Sequence, residues 1–484
     1  MVQSLHQMGF RVIMDVVYNH TNSAGLWDNS VFDKIVPGYY HSRDLTSGAV
    51  IQDTCCNDTA LEHRMMDKFM VDSLSLWTEQ YKMDGFRFDI MSHGSKAQML
   101  AAREAVQAID EDNHFYGEGW NFGEVANNAQ FVQASQNELS GTEIGTFTDR
   151  LRDAIRGGNF MTYAEGLRRD QGIGNGLFVI PNELQPEDKQ LGHYHNSMDL
   201  IRLGLAGNLK QFQLESISGE KINGTQVLYG GNPAGYASDP ADTINYVSKH
   251  DNQSLWDNHQ YRLPFGMPGG DRVRVHNMSL SYPLMAQGIP FLHMGSELMR
   301  SKSFLRDSYD YGDWFNAVDF NYQSNNYDVG LPPEVKDRDN WPTIQRLLKH
   351  SKLNDDVTPE QIEFAANVFA DFIKIRSSSK LFRLTEGQDV LDRVTFLNDG
   401  KDHKPGLIVM QISDTTKQDL DKDYENIVVI FNNNPESRQV VVTNAEQYQL
   451  HPVQQNGADN IVKQALSANG SLTVPGFTTA VFVQ

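Results

Sequence analysis

Two carboxylates in short, distinctive settings are the first chemistry this sequence offers. Asp89 follows Arg87 by two positions in FRFDIM. Residues two apart share one face of an extended strand, so guanidinium and carboxylate point the same way, and the cation lowers the acid's pKa and keeps it ionised. Glu118 lies between two glycines and before Trp120 in YGEGW. Small neighbours admit a close-approaching substrate, and a partly apolar setting raises a carboxyl pKa toward neutrality. One ionised and one protonated carboxyl, about 5–5.5 Å apart, can break a glycosidic bond with retention of configuration. Each motif alone has a plainer reading: an Arg–Asp pair closing a strand, and a loop glutamate beside a bulge.

Two further segments add weight. SKHDNQSLWD places His250 and Asp251 at the end of an apolar run, with Trp256 after them, and DVVYNH supplies Asp15, Asn19 and His20. Imidazoles and carboxylates bind sugar hydroxyls, and a further carboxylate stabilises developing oxocarbenium charge. Tyr18, Trp120, Trp256 and Trp314 are candidate platforms for a sugar face, core packing being the other reading. The acidic run RDSYDYGDWF lacks the D-x-D-x-D-G spacing of a calcium loop and reads as a solvated loop. His193 and His195 read as surface residues.

Alternating strands and helices must position these groups. Strand-like runs begin at Arg11 (RVIMDVV), Gly85 (GFRFDIM), His114 (HFYGEGW), Gly145 (GTFTDRL), Thr243 (TINYVSKHD) and Gly288 (GIPFLHMGSE). Between them, Thr59 to Tyr81 opens with a Thr59/Glu62 capping box and repeats Met66, Met70, Leu74, Trp77 and Tyr81 at helical steps. Alternation of this kind predicts a parallel α/β sheet, and runs such as VIMDVV suit strands buried on both faces. Asp15, Asp89, Glu118 and Asp251 each fall near a strand's carboxyl end. That is where barrel enzymes gather their catalytic groups. The expected fold is therefore a (β/α)8 TIM-type barrel over residues 1–380. About six units are visible, and Val2, Leu5 and Met8 already keep a helical period, so the barrel is expected to lack its first units. From about 380 the runs shorten and partly alternate, predicting an all-β sandwich over 381–484. The stretch around 325–360 reads as a long surface connection.

The totals exclude other classes. Against 62 Asp and Glu stand 41 Lys and Arg, a formal charge of −21. Such a surface repels nucleic acid and anionic membranes. No 18-residue apolar run predicts a membrane span, and no basic, apolar and cleavage-site sequence opens the chain. The two cysteines, adjacent Cys55 and Cys56, are too few for a disulfide framework or a four-ligand zinc site. As residues alone they are two inert thiols or a strained disulfide between neighbours.

The four segments DVVYNH, FRFDIM, YGEGW and SKHDN, in this order, resemble the four signature regions of the α-amylase superfamily of glycoside hydrolases. By that resemblance Asp89 is the nucleophile, Glu118 the acid/base and Asp251 the transition-state stabiliser. Asp15, His20, Arg87 and His250 correspond to positions that hold the sugar at the reaction centre. His93 corresponds to a position that contacts the leaving-group side; Trp120, the aromatic residue after Glu118, is a further candidate substrate contact as a stacking platform. VFDKIVPGYYHS, DTCCNDTALEHRMM, YGEGWNFGE, GTFTDRLRDAIRGG, LMRSKSFLRDSYDYGDWFN and NNYDVGLPP are similar to bacterial type I pullulanases, close to the limit dextrinases. This likeness covers most of the chain. It implies hydrolysis of α-1,6 linkages in pullulan, amylopectin and limit dextrins, with α-glucan polysaccharides and oligosaccharides as partners. It further implies a vicinal Cys55–Cys56 disulfide, an extracellular or cell-surface location in bacteria, and a monomer. No cofactor is required for the chemistry; calcium occurs in the family, and the sequence does not place its ligands. Family members carry two more barrel strands before the first signature region, with a YNWGYDP loop, and amino-terminal carbohydrate-binding and β-sandwich modules. An α-1,4-acting amylase or isoamylase with the same carboxylates, and a non-catalytic amylase-like binding protein, are the alternatives. Maltotriose release from pullulan separates the first, and turnover the second.

Overall fold

The parallel sheet begins with β1 (Ile13–Val16), which pairs with β4 (Gly85–Phe88) in a register that sets Asp15 opposite Arg87. The computed structural model describes residues 1–185, 191–351, 357–416 and 418–484. They form two compact units, residues 1–147 with 237–244, and residues 148–236 with 245–484.

In the first unit a short helix, α1 (Val2–Gln7), precedes β1 and buries no residue. A two-stranded ribbon follows, β2 (His20–Thr21) against β3 (Asn57–Asp58). The sheet continues from β4 to β5 (His114–Gly117), β6 (Gly145–Phe147) and β7 (Thr243–Asn245), every pairing parallel. The six expected strands are thus mostly shorter than their apolar runs: GTFTDRL is strand only over Gly145–Phe147 and turns helical at Asp149. All four residues of β4 are buried, as expected. By contrast, Ile13 and Asp15 of β1 are exposed while Val16 enters the core. Among the described residues β1 pairs with β4 alone, so the expectation of burial on both faces fails there.

Helix α2 (Arg64–Tyr81) covers the sheet through Met66, Met70, Leu74 and Thr78, and α3 (Lys96–Gln107) through Met99, Ala102 and Val106. The apolar side chains among these meet Val16, Phe86, Phe88 and Phe115 of the strands in one cluster. The expected Thr59/Glu62 cap does not form. The Thr59 hydroxyl donates instead to the Tyr18 carbonyl at 2.5 Å, and the helix starts five residues later. Trp77 lies at the edge of the buried face and Tyr81 outside it.

The second unit carries α4 (Asp149–Arg156), α5 (Leu191–Leu205), α6 (Leu255–Arg262), α7 (Gly269–Met285), β8 (Ile289–Pro290), α8 (Trp341–His350) and α9 (Pro359–Ser378). Arg376 of α9 donates to the Leu284 and Ala286 carbonyls, at 2.8 and 2.7 Å, and to Gly288 O at 2.8 Å. It thereby satisfies acceptors that the end of α7 leaves open. The stretch expected as a surface connection contains α8, whose Ile344 and Leu347 are buried; residues 352–356 of that stretch lie outside the described residues.

Two antiparallel sheets complete this unit. One has the order β9 (Val394–Phe396), β10 (Leu407–Ser413), β11 (Asn426–Asn432), β16 (Thr478–Val483) and β13 (Gln449–Leu450). The other has the order β12 (Arg438–Val441), β15 (Ser471–Val474) and β14 (Leu466–Ala468). Leu407, Val409, Val428, Ile430 and Phe482 of the first meet Val440, Leu472 and Val474 of the second in a shared core. On its other face β11 packs on α7, with Phe431 stacked on Tyr282 at 4.2 Å. Burial on both faces explains why NIVVIFN is continuously apolar instead of alternating. No helix among the described residues is long and apolar enough to cross a membrane.

Candidate active site

Register builds the centre of the site. With Asp15 opposite Arg87, and Arg87 opposite Tyr116, three neighbouring strands present polar residues at one level. Arg87 is buried, its side chain 6% exposed, and is held by three carboxylates. Its Nη1 lies 2.8 Å from Asp15 Oδ1 and 3.1 Å from Asp89 Oδ1; its Nη2 lies 3.0 Å from Glu118 Oε1. Asp89 and Glu118 are each the first residue beyond their strands. They extend the ladder by one bond, Asp89 N–H to Val16 O and Glu118 N–H to Phe88 O, both 3.0 Å. One guanidinium therefore clamps the two carboxylates side by side at the carboxyl end of the sheet.

The chain turns sharply after Asp89. Ile90 takes φ +36° and ψ +52°, a left-handed conformation that a β-branched residue adopts only under constraint. In that conformation its N–H donates to Glu118 Oε2 at 3.2 Å, while the Ser92 N–H donates to the Glu118 carbonyl, also at 3.2 Å. The residue after one carboxylate thus orients the other. The local sequence does not announce this.

Charge balance differs from the expectation that Arg87 lowers the Asp89 pKa. Burial first, and then the Glu118 charge, raise the Asp89 carboxyl above its ordinary value, against the pull of Arg87 and His20. For Arg87, burial works against the charge, but Glu118, Asp15 and Asp89 together raise it. The setting of Glu118 is buried and charged, not partly apolar. Nor do its glycines serve only an approaching substrate. A Cβ on Gly117 would stand 2.5 Å from Phe88 O, and one on Gly119 would stand 2.8 Å from Gln136 N. Both positions are small because neighbouring backbone passes against them.

His20, on β2, places Nδ1 3.9 Å from Asp89 Oδ2. Burial lowers its pKa, against the attraction of Asp89 and Asp58. Cys55 and Cys56 form the vicinal disulfide, with Cys55 Sγ 3.4 Å from His20 Nε2. His93 is 3% exposed, packs on Phe122 and sets Nε2 3.4 Å from Glu124 Oε2. Its ring faces protein groups rather than solvent.

Ligand atoms of Asp58, His93 and Glu124 lie within 4.8 Å of one another. They do not make a calcium site: that ion takes six to eight oxygens. Here one donor is an imidazole, and the Asp58 carboxylate already accepts from the Asp53 N–H and the Thr54 hydroxyl. His20 with the two cysteines offers no thiolate, since both sulfurs are in the disulfide.

The strand of TINYVSKHD ends at Asn245, so His250 and Asp251, which belong to the second unit, lie in the loop beyond it rather than at its end. Asp251 Oδ2 pairs with Lys249 Nζ at 2.7 Å, and Asp251 Oδ1 lies 3.5 Å from His250 Nε2. The buried Lys302 ammonium donates to the His250 carbonyl at 2.9 Å, and burial lowers its pKa to about 8. Lys249 escaped notice in the sequence, although it precedes Asp251 by the same two positions that linked Arg87 with Asp89. Trp256 is fully buried in α6 against Val273, Met299 and Ile362, so the platform reading fails for it. Trp120 is half-buried and Trp314 exposed. Tyr18 packs on the core with its hydroxyl donating to Ser73 at 2.9 Å.

Residues 322–484 match the family described as alpha-1,6-glucosidases, pullulanase-type, C-terminal. A pullulanase of Klebsiella pneumoniae is 45% identical over 490 aligned residues, covering 99% of this chain and 44% of its own length. Chloroplastic pullulanase 1 of Arabidopsis thaliana is 42% identical, covering 100% of this chain and 52% of its own. The crystal structure of a maltotriose complex of PulA from Klebsiella pneumoniae superposes with a TM-score of 0.95 at 44% identity, over 100% of this chain and 52% of that one. The chain spans about half the length of the curated relatives it matches. By sequence and by fold along its whole length, it belongs to the pullulanase family.

Proposed function

We propose that this chain carries the catalytic carboxylates of a starch-debranching glycoside hydrolase that cleaves α-1,6-glucosidic linkages with retention. The observation that carries the proposal is the Arg87 clamp, which sets Asp89 and Glu118 side by side beyond adjacent strands. Glu118 protonates the glycosidic oxygen while Asp89 attacks the anomeric carbon, breaking the bond to the leaving sugar and forming a glycosyl ester. Glu118, now a base, takes a proton from water, which releases the sugar and frees Asp89. Asp251 stabilises the oxocarbenium charge that develops in the transition state of each step. Asp15, His20 and His250 bind sugar hydroxyls, and Trp120 offers a stacking face. The α-1,6 preference follows from kinship with the pullulanases, because the carboxylates themselves are shared by α-1,4 enzymes.

The same reading takes the parallel sheet as part of a (β/α)8 barrel followed, from about residue 381, by the β-sandwich. Support comes from Asp15, Asp89 and Glu118 gathering at the carboxyl ends of three neighbouring parallel strands, where barrel enzymes keep their catalytic groups. Pullulan tests the function, since α-1,6 cleavage releases maltotriose. Asp89→Asn is expected to lower that release by at least ~10³-fold, about 4 kcal/mol of barrier. Substantial surviving hydrolysis removes Asp89 from the role.

A further inference from the structure

The vicinal disulfide joins neighbouring residues and so closes no stretch of chain. On the chain-entropy account of disulfide stabilisation it contributes little to global stability. Its surroundings are instead local and specific. The loop bearing it is clasped by Asp58, which accepts from the Asp53 N–H at 2.8 Å and from the Thr54 hydroxyl. Asp58 itself pairs with His20 across the β2–β3 ribbon, and Asn57 Nδ2 donates to the Thr21 carbonyl at 3.3 Å. The disulfide therefore sits in the bend that leads directly into Asn57–Asp58, the strand paired with the one that carries His20.

Hydrogen-bond chemistry then settles which ring nitrogen holds the proton. The Asn19 amide donates to His20 Nδ1 at 2.8 Å, which leaves the proton on Nε2. A disulfide sulfur has no proton, so Nε2–H donates to Cys55 Sγ across 3.4 Å. Sulfur is a weak acceptor. The contact orients the imidazole beside Asp89 without competing strongly for its proton, which stays available to a sugar hydroxyl.

We propose that the Cys55–Cys56 disulfide is a positioning element for His20, holding the imidazole in the tautomer and orientation with which it binds the sugar next to Asp89. This rests on the hydrolase reading above for its consequence in catalysis, but not for the geometry of His20.

The test uses the full chain with carbon-13-labelled histidine, the His20 resonance being assigned by its loss in His20→Ala. Dithiothreitol breaks the S–S bond, supplying two electrons and two protons as it closes to its own cyclic disulfide; a Cys55→Ala/Cys56→Ala chain serves as the second variant. Asp89, Asp58 and His93 are the charged or titratable groups facing His20. On reduction its titration is expected to move upward as the loop opens and burial relaxes. Pullulan hydrolysis is expected to lose about 10-fold in kcat/KM, within the range of coupling between neighbouring side chains, and less than about two-fold in the His20→Ala background. An unmoved His20 titration, or equal losses in both backgrounds, overturns the proposal. Failure of the hydrolase reading shows separately, as absence of maltotriose from the oxidised wild-type chain, and the titration then decides the positioning role by itself.

Discussion

Replacing Arg87 with methionine keeps most of the apolar stem and removes the one cation shared by Asp15, Asp89 and Glu118. The three partners differ in what they lose. The Asp15 side chain is half exposed, so solvent screens it and its pair contributes about 0–1 kcal/mol. Asp89 and Glu118 are 20% and 5% exposed, and they become buried carboxylates facing each other without the cation they share. Stranding a buried partner in this way costs about 3–5 kcal/mol, and that loss is expected in urea denaturation at pH 7. The pH dependence has a defined sign. Asp89 is already raised by burial and by the Glu118 charge, and without Arg87 it rises further. A carboxyl whose folded pKa exceeds its unfolded value near 4 binds more protons in the native state, so the native state gains stability as pH falls through the folded pKa. The deficit of Arg87→Met relative to wild type is therefore expected to narrow between pH 7 and about pH 4.5. Arg87→Lys keeps the charge but cannot span two carboxylates with a planar fork, and is expected to fall between the two. A loss below about 1 kcal/mol at pH 7, or one of equal size at both pH values, refutes the claim that Arg87 holds the carboxylates together.

Two further substitutions test the packing that supports the site. Gly117→Ala puts a methyl group 2.5 Å from the Phe88 carbonyl, and the forced shift of β4 against β5 is expected to cost about 1–3 kcal/mol by urea denaturation; a neutral effect shows that Gly117 is not packed as described. Trp256→Ala empties a fully buried site and is expected to lose about 3–5 kcal/mol of stability, with the KM for pullulan unchanged in the folded protein. A raised KM at intact stability restores Trp256 as a platform.

Much of the site was legible because strands display their chemistry at short range. The two-residue step from Arg87 to Asp89 predicted a shared face, and the structure places both on one clamp. The positions of Asp15, Asp89 and Glu118 near the carboxyl ends of their strands were equally readable from the apolar runs that contain or precede them. Local pattern failed where a remote neighbour intervened. Thr59 had the spacing of a helix cap, but the Tyr18 carbonyl took its hydroxyl. The glycines around Glu118 suggested open space for a ligand, yet Phe88 and Gln136 backbone fills it. Trp256 followed His250 and Asp251 closely enough to look like part of the same constellation, and α6 turned it into the core.

The sequence by itself determined the chemical inventory: the carboxylates, the arginine beside one of them, the kinship with pullulanases, and the change from alternating α/β to all-β texture. These are properties of residue type and short period, which survive without knowledge of any distant contact. Only the tertiary structure decided how the groups share their charges. Register put Arg87 opposite Asp15 and within reach of Glu118, and a left-handed Ile90 turned its amide toward that carboxylate. The β2–β3 ribbon set the Cys55–Cys56 disulfide against His20. Each of these depends on segments far apart in the chain, and the free energy of a buried charge is set by the partners it meets there.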